Sequence, residues 1–261
     1  NFYYIIIIHQ IVCQRCGITS FMGNKSFKLK QFEVFHDKCA MKVGTDGMLL
    51  GAWAGVDGCQ NILDVGAGTG LISLMLAQRN RGAHIMALEI DTAASEQALE
   101  NVNRSPFFNQ IEVKHSSFQH FASTTNMKFD AIVSNPPFFI NSLKPDNESR
   151  LSARHTDFLS LVDILSLSRQ LLTPCGKLSL IYPYDEIANI DNLIEETNWY
   201  VHRKTEVYST PGSTKPKRLL LELGLCHPDG GADIKSLIIE IDRHVYSTEY
   251  IELTKDFYLK M

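Results

Sequence analysis

The sequence predicts an α/β fold: a doubly wound, mostly parallel sheet of seven strands with helices on both faces. Three observations carry this expectation. Short apolar runs bounded by turn residues alternate with segments of helical period, the pattern of successive βαβ units. Ile62-Leu63-Asp64-Val65 passes through Gly66-Ala67-Gly68-Thr69-Gly70 straight into Leu71-Ile72-Ser73-Leu74-Met75, a strand–turn–helix junction. Asp64, Glu89, Ser117 and Asn135 then fall at the ends of successive apolar runs, where an open parallel sheet forms its ligand crevice.

The chain has 261 residues, 44% hydrophobic and 21% charged, enough for one large domain with a full core. A net charge of −4 and a pI near 6.1 exclude a generally basic nucleic-acid coat but leave room for a local basic face. Of the 6 cysteines only Cys13-x-x-Cys16 has metal-like spacing, and no second close pair completes a ligand set. No metal is expected, and the thiols read as reduced cysteines of a cytoplasmic protein. Phe2 to Ile8 is apolar but far shorter than the ~20 residues that span a bilayer. No positive segment precedes it, so neither a membrane span nor a signal peptide is expected. Residues 1–21 read as a leader outside the fold, upstream or processed, or else as an added strand. Residues 22–261 read as a single domain with a short N-terminal lid.

Taken in order, Phe27 to Phe35 alternates apolar and polar residues like a short strand or hairpin. In Cys39 to Trp53, Gly44 and Gly47 bracket a turn, and Asp46 is expected to cap an apolar helix starting near Met48. The same stretch suits a lid over a ligand, with Lys42 and Thr45 available to a carboxylate. Gly66, Gly68 and Gly70 let the backbone approach a ligand closely. The strand Ile85 to Glu89 ends in an acid at about the distance where such folds hold ribose hydroxyls. The glycine spacing departs from the dinucleotide fingerprint, and Asp64 would repel a pyrophosphate. A cationic ligand suits that position better, such as a sulfonium carrying an α-amino group.

A helix follows from Thr92, with Ala94, Ala98 and Val102 on one side, then a third strand at Ile111 to Val113 with His115 to Ser117 at its end. The fourth strand, Ala131 to Ser134, runs into Asn135-Pro136-Pro137-Phe138. Two prolines end any ladder or helix, and the residue before a proline is held extended. Asn135 is thereby presented at the strand's carboxyl end. Its amide oxygen and a backbone carbonyl suit the two hydrogens of a planar amine, and Phe138 offers a face to a flat base. Asn-Pro also marks ordinary turns; the glycine turn upstream is what singles this one out. Residues 141–157 are polar, without hydrophobic period, and carry Arg150, Arg154 and His155. Helices at Phe158 to Leu172 and Asp185 to Thr197, strands at Lys177 to Tyr182, Tyr200 to Tyr208 and Arg218 to Leu223, and a closing helix from Tyr246 to Tyr258 complete the expectation.

With Asp64 to Gly70, Glu89 and Asn135 to Phe138 at successive strand ends, the chain resembles class I S-adenosylmethionine-dependent methyltransferases of the amino-methylating branch, which have a Rossmann-like sheet. From about Phe27 onward it resembles the bacterial tRNA (adenine-N(6))-methyltransferases that modify the adenine beside the anticodon of a valine tRNA. Cys39 to Trp53 and Arg154-His155-Thr156 carry the most specific part of that likeness. The resemblance implies S-adenosylmethionine as cofactor and a tRNA substrate, with no membrane association and no obligate protein partner. Gly66, Gly68 and Gly70 would line the cofactor's methionine part, Glu89 its ribose, and Asn135, Pro136, Pro137 and Phe138 the target adenine. Arg150, Arg154 and His155 would meet RNA. Where the family often has an acid at the end of the third strand, this chain has Ser117. The implied chemistry is direct displacement by the adenine amine, needing neither a metal nor a strong base. A protein glutamine methyltransferase uses a similar turn, but carries a sizeable helical domain ahead of the glycine motif. A DNA adenine methyltransferase would need a separate recognition domain, and a non-catalytic cofactor or RNA-binding module would not need Asn135.

Overall fold

In a computed structural model of the chain, residues 25–39, 42–136 and 159–260 are described. The main sheet begins with β3 (Asn61–Val65), β4 (His84–Glu89) and β5 (Ile111–His115), joined by α2 (Leu71–Arg79) and α3 (Thr92–Asn103). After α4 (Phe118–Thr124) the chain returns to the other side of β3 as β6 (Phe129–Ser134). Then come α5 (Leu161–Leu171), β7 (Leu172–Pro183), a 3-10 turn at Tyr184–Glu186, α6 (Ile187–Glu196), β8 (Tyr200–Tyr208) and β9 (Arg218–Gly224). These seven strands are the ones expected, and β10 (Asp233–Ile238) adds an eighth, in the order β10-β8-β9-β7-β6-β3-β4-β5. Among the described strands of this sheet only β9 runs against its neighbours.

Period-two alternation builds two cores from the same strands. Ile62, Ile85, Ala87, Ala131 and Val133 face the layer formed by α1 (Thr45–Trp53), α2 and α7 (Thr248–Thr254). Leu63, Val65, Met86, Leu88 and Ile132 face α4, α5 and α6. Glycine sets how closely α1 and α2 meet: a Cβ on Gly51 would stand 2.7 Å from Met75 Sδ. The end of α1 is fastened across the sheet. Trp53 Nε1 donates to Thr205 Oγ1 at 3.1 Å, the Arg203 guanidinium lies 3.9 Å from the Trp53 ring centre, and Arg203 Nη2 donates to the buried Glu222 at 2.7 Å.

Several local expectations are corrected. Asp46 does not cap α1: the helix already begins at Thr45 behind an extended Gly44, and the Asp46 carboxylate instead takes Arg218 Nε at 2.8 Å. Gly47 lies inside the helix. The closing helix shrinks to Thr248–Thr254, capped by Ser247, because Val245–Tyr246 (β12) pairs with Glu240–Asp242 (β11) in a small hairpin. β7 starts at Leu172, ahead of the expected Lys177, with a register shift through the Thr173–Gly176 stretch. The hairpin read from Phe27 to Phe35 is present as β1 (Ser26–Lys28) and β2 (Glu33–Phe35). The expected leader 1–21 lies outside the described residues. Among the described residues no helix is long and apolar enough to cross a membrane.

Candidate active site

The chain reverses its direction of travel across the sheet between β3 and β6, and in such sheets the crevice opens beyond the carboxyl ends at that point. Val65 pairs with both Leu88 and Ser134, and Glu89 pairs with His115. Gly66, Asn135, Glu89 and Ser116 therefore stand at one edge of four adjacent strands. Ser134 Oγ donates to Val65 O at 2.8 Å and locks the ends of β3 and β6 together just before Gly66 and Asn135.

The glycine turn is held from β4. Gly66 and Ala67 donate to Leu88 O at 2.9 and 2.8 Å, and Gly68 N donates to Glu89 Oε2 at 2.7 Å. Gly66 and Gly68 have φ of 75° and 55°, and a Cβ at either would meet nothing within 4 Å. That open backbone is a cradle a ligand can enter. Gly70 differs: its missing Cβ faces Ala98, 3.4 Å away, so it admits α3 and does not line the crevice. Glu89, 8% exposed, uses its other oxygen to accept from Asp91 N at 2.8 Å, and both oxygens retain lone pairs for hydroxyl donors.

Asp64 is fully buried. One oxygen accepts from Ser73 N at 3.0 Å and Ser73 Oγ at 2.6 Å, while Oδ1 has no partner. Burial pushes its carboxyl up to about 6, against the two Ser73 bonds. An orphaned acceptor behind the glycine turn, with Glu89 alongside, favours a cationic ligand such as an ammonium or sulfonium and disfavours a phosphate. This set of acceptors fits S-adenosylmethionine.

Ser117 is less available than expected: its hydroxyl oxygen caps α4, accepting from His120 N at 3.1 Å. Lys42 and Thr45 are exposed at the start of α1. Asn135 is half-buried and Pro136 buried. Pro137, Phe138, Arg150, Arg154 and His155 lie outside the described residues.

Three residues here escaped sequence reading. Ile90, 50% exposed beside Glu89, offers an apolar surface at the crevice; its signal was a large apolar residue just past a strand-ending acid. Asn101 is fully buried, and its side chain donates to Phe35 O at 2.8 Å and Thr69 O at 2.9 Å, bolting the β1–β2 hairpin to the glycine turn. Cys39 lies close enough to Glu89 and Asp91 that burial, and then these charges, raise its thiol to about 11. Residues 36–39 thus run from the hairpin toward the crevice. A cavity of about 360 Å³ lined by Cys59, Asp130, Cys175 and Lys177 opens at the opposite edge, where β3, β6 and β7 begin. Among the described residues no group of three His, Cys, Asp or Glu side chains is arranged to hold a metal.

Residues 47–182 match the family model described as Methyltransferase small domain. The chain is 49% identical over 240 residues to a tRNA1(Val) (adenine(37)-N6)-methyltransferase of Parabacteroides distasonis, covering 92% of this chain and 100% of the relative. It is 50% identical over 242 residues to a protein of the same name from Phocaeicola vulgatus, again covering 92% and 100%. Among solved structures, a predicted O-methyltransferase from Agrobacterium tumefaciens superposes with a TM-score of 0.61 at 18% identity, covering 81% of this chain and 96% of that one. At that identity the likeness concerns the fold alone.

Proposed function

The chain belongs to the methyltransferase small-domain family and, within it, to the tRNA1(Val) (adenine(37)-N6)-methyltransferases, and on that premise we propose that it methylates the exocyclic amine of adenine 37 in a valine tRNA, in the cytoplasm. The observation that supports this most is the Val65–Ser134 register, which sets Asn135 beside the glycine turn at the switch point of the sheet.

Gly66 and Gly68 would receive the methionine part of S-adenosylmethionine, Asp64 would balance its positive charge from behind, and Glu89 would accept from its ribose hydroxyls. When bound, this cofactor supplies an electrophilic methyl group. The chain's own contribution is orientation. The Asn135 amide oxygen and the Pro136 carbonyl accept the two amine hydrogens, so the nitrogen lone pair turns out of conjugation with the ring. Accepting those hydrogens also stabilises the positive charge that grows on the nitrogen, and one of them then passes as a proton to solvent water. Phe138 would stack on the base. Arg150, Arg154 and His155 meet the RNA backbone, and Lys42 and Thr45 close over the cofactor's carboxylate.

Labelled methyl transfer to unmodified tRNA, glutamine peptides and DNA, offered separately, tests the reading. Label in valine tRNA, mapped to the adenine beside the anticodon, is the expected result. Label in peptide or DNA alone would refute it.

A further inference from the structure

Pro183, Arg218 and Val207 lie side by side across β7, β9 and β8. Because β9 runs against both neighbours, its first residue sits at the same edge as the ends of β7 and β8. That edge continues to the end of β6, and so to Asn135. Just past this row stand two partly exposed aromatic residues, Tyr184 and Tyr208. The connection from β8 to β9 is fixed to both strands: Lys217 N donates to Val207 O at 2.7 Å, and Tyr184 N donates to Lys217 O at 3.3 Å. Its own turn is closed by Ser213 N to Thr210 O at 3.1 Å. It presents Lys215 and Lys217, both exposed. The Arg218–Asp46 ion pair then links it to the first turn of α1, next to Lys42 and Thr45.

Flat aromatic faces interleaved with cations on a fixed edge suit unpaired nucleotides, whose bases stack and whose phosphates need positive partners. Besides Asp46, which Arg218 holds, three acids share the surface. Asp185 is held by Lys215 at 2.6 Å, Glu206 accepts from the Tyr208 hydroxyl at 3.3 Å, and Glu186 flanks Tyr182. The Lys215–Asp185 pair is exposed, 56% and 71%, and exposed pairs are weak in water, so Lys215 can exchange its carboxylate for a phosphate. We propose that this edge, through Tyr184, Tyr208, Lys215 and Lys217, receives the nucleotides flanking the base delivered to Asn135. The proposal rests on the tRNA reading above.

The test measures binding of unmodified valine tRNA at several salt concentrations, with S-adenosylmethionine affinity and thermal unfolding recorded for every variant. The K215A/K217A double variant is expected to bind tRNA on the order of tenfold more weakly and to lower the salt slope by about two. Tyr184→Leu and Tyr208→Leu are each expected to weaken binding about tenfold with the slope unchanged, since stacking releases no counterions. Asp185→Asn, which releases Lys215, is expected to tighten binding. Cofactor affinity stays constant throughout. Unchanged tRNA affinity and slope in the double variant would overturn the proposal and leave the enzyme reading standing. A wild-type chain that methylates no tRNA would overturn both.

Discussion

Replacing Asp64 by asparagine is expected to stabilise the ligand-free protein while weakening its hold on S-adenosylmethionine. The carboxyl is fully buried, one oxygen lacks a partner, and its folded value of about 6 stands above the ordinary 3.8. The sign follows from that direction. A group whose folded value is raised contributes its stability fully below the unfolded value, near pH 3.8, and loses it as pH rises through about 6. At 1.36 kcal/mol per pH unit, the ionised group costs about 3 kcal/mol at pH 8, an upper bound because neighbours relax. Asparagine imitates the neutral acid and still accepts from Ser73, so its contribution does not fade with pH. Thermal unfolding of both proteins between pH 5 and 8 checks this. The variant's advantage should grow from pH 5, level off above the folded value of about 6, and reach ~5–10 °C in Tm at most. Parallel pH curves, or a variant less stable at pH 8, would refute the account of Asp64. Calorimetry supplies the second half: S-adenosylmethionine affinity should fall in the variant, because the countercharge behind the glycine turn is gone.

Asn135→Ala should slow methyl transfer about 100-fold or more with cofactor affinity nearly intact, as single-turnover kinetics beside calorimetry would show. Glu89→Ala should weaken cofactor binding and also loosen the glycine turn, since Gly68 N and Asp91 N both lose their acceptor; hydrogen exchange at Gly68 reads the second effect. Glu222→Ala should cost about 3 kcal/mol in denaturant unfolding, because it leaves Arg203 half-buried without its carboxylate. Reversing Arg150 and Arg154 to glutamate should weaken tRNA binding and lower its salt slope by about one per lost phosphate contact, with cofactor affinity unchanged.

The parts of the site legible in the sequence are those whose signals are local. Asp64 to Gly70 announces itself by glycines between a strand and a helix, and Asn135 by the proline that follows it. What escaped depends on distant partners. Asp46 looks like a cap because an acid precedes an apolar run, but Arg218, 172 residues away, takes its carboxylate. Gly70 looks like its two neighbours until Ala98 on α3 fills the space beside it. Ser117 carried a legible cap signal, a serine before a helix, that was read only as a ligand position. β10 pairs parallel to β8 at the sheet's open edge, with Ile234 66% exposed, so no buried alternation marks it.

The bonds that fasten α1 bear on the order in which the protein matures during synthesis. Its inner face can settle on α2 as soon as Met75 has left the ribosome. Its two ends wait, because Trp53 is held by Thr205 from 152 residues downstream and Asp46 by Arg218 from 172. At translation rates of about 5–20 residues per second, that interval is about 7–30 s. Throughout it the start of α1, where Gly47 stands against Leu71, lies beside an α2 already in place while its own anchor is still unmade. A nascent chain stalled before β9 should therefore already hold the strands of the crevice, with the first turn of α1 unsecured.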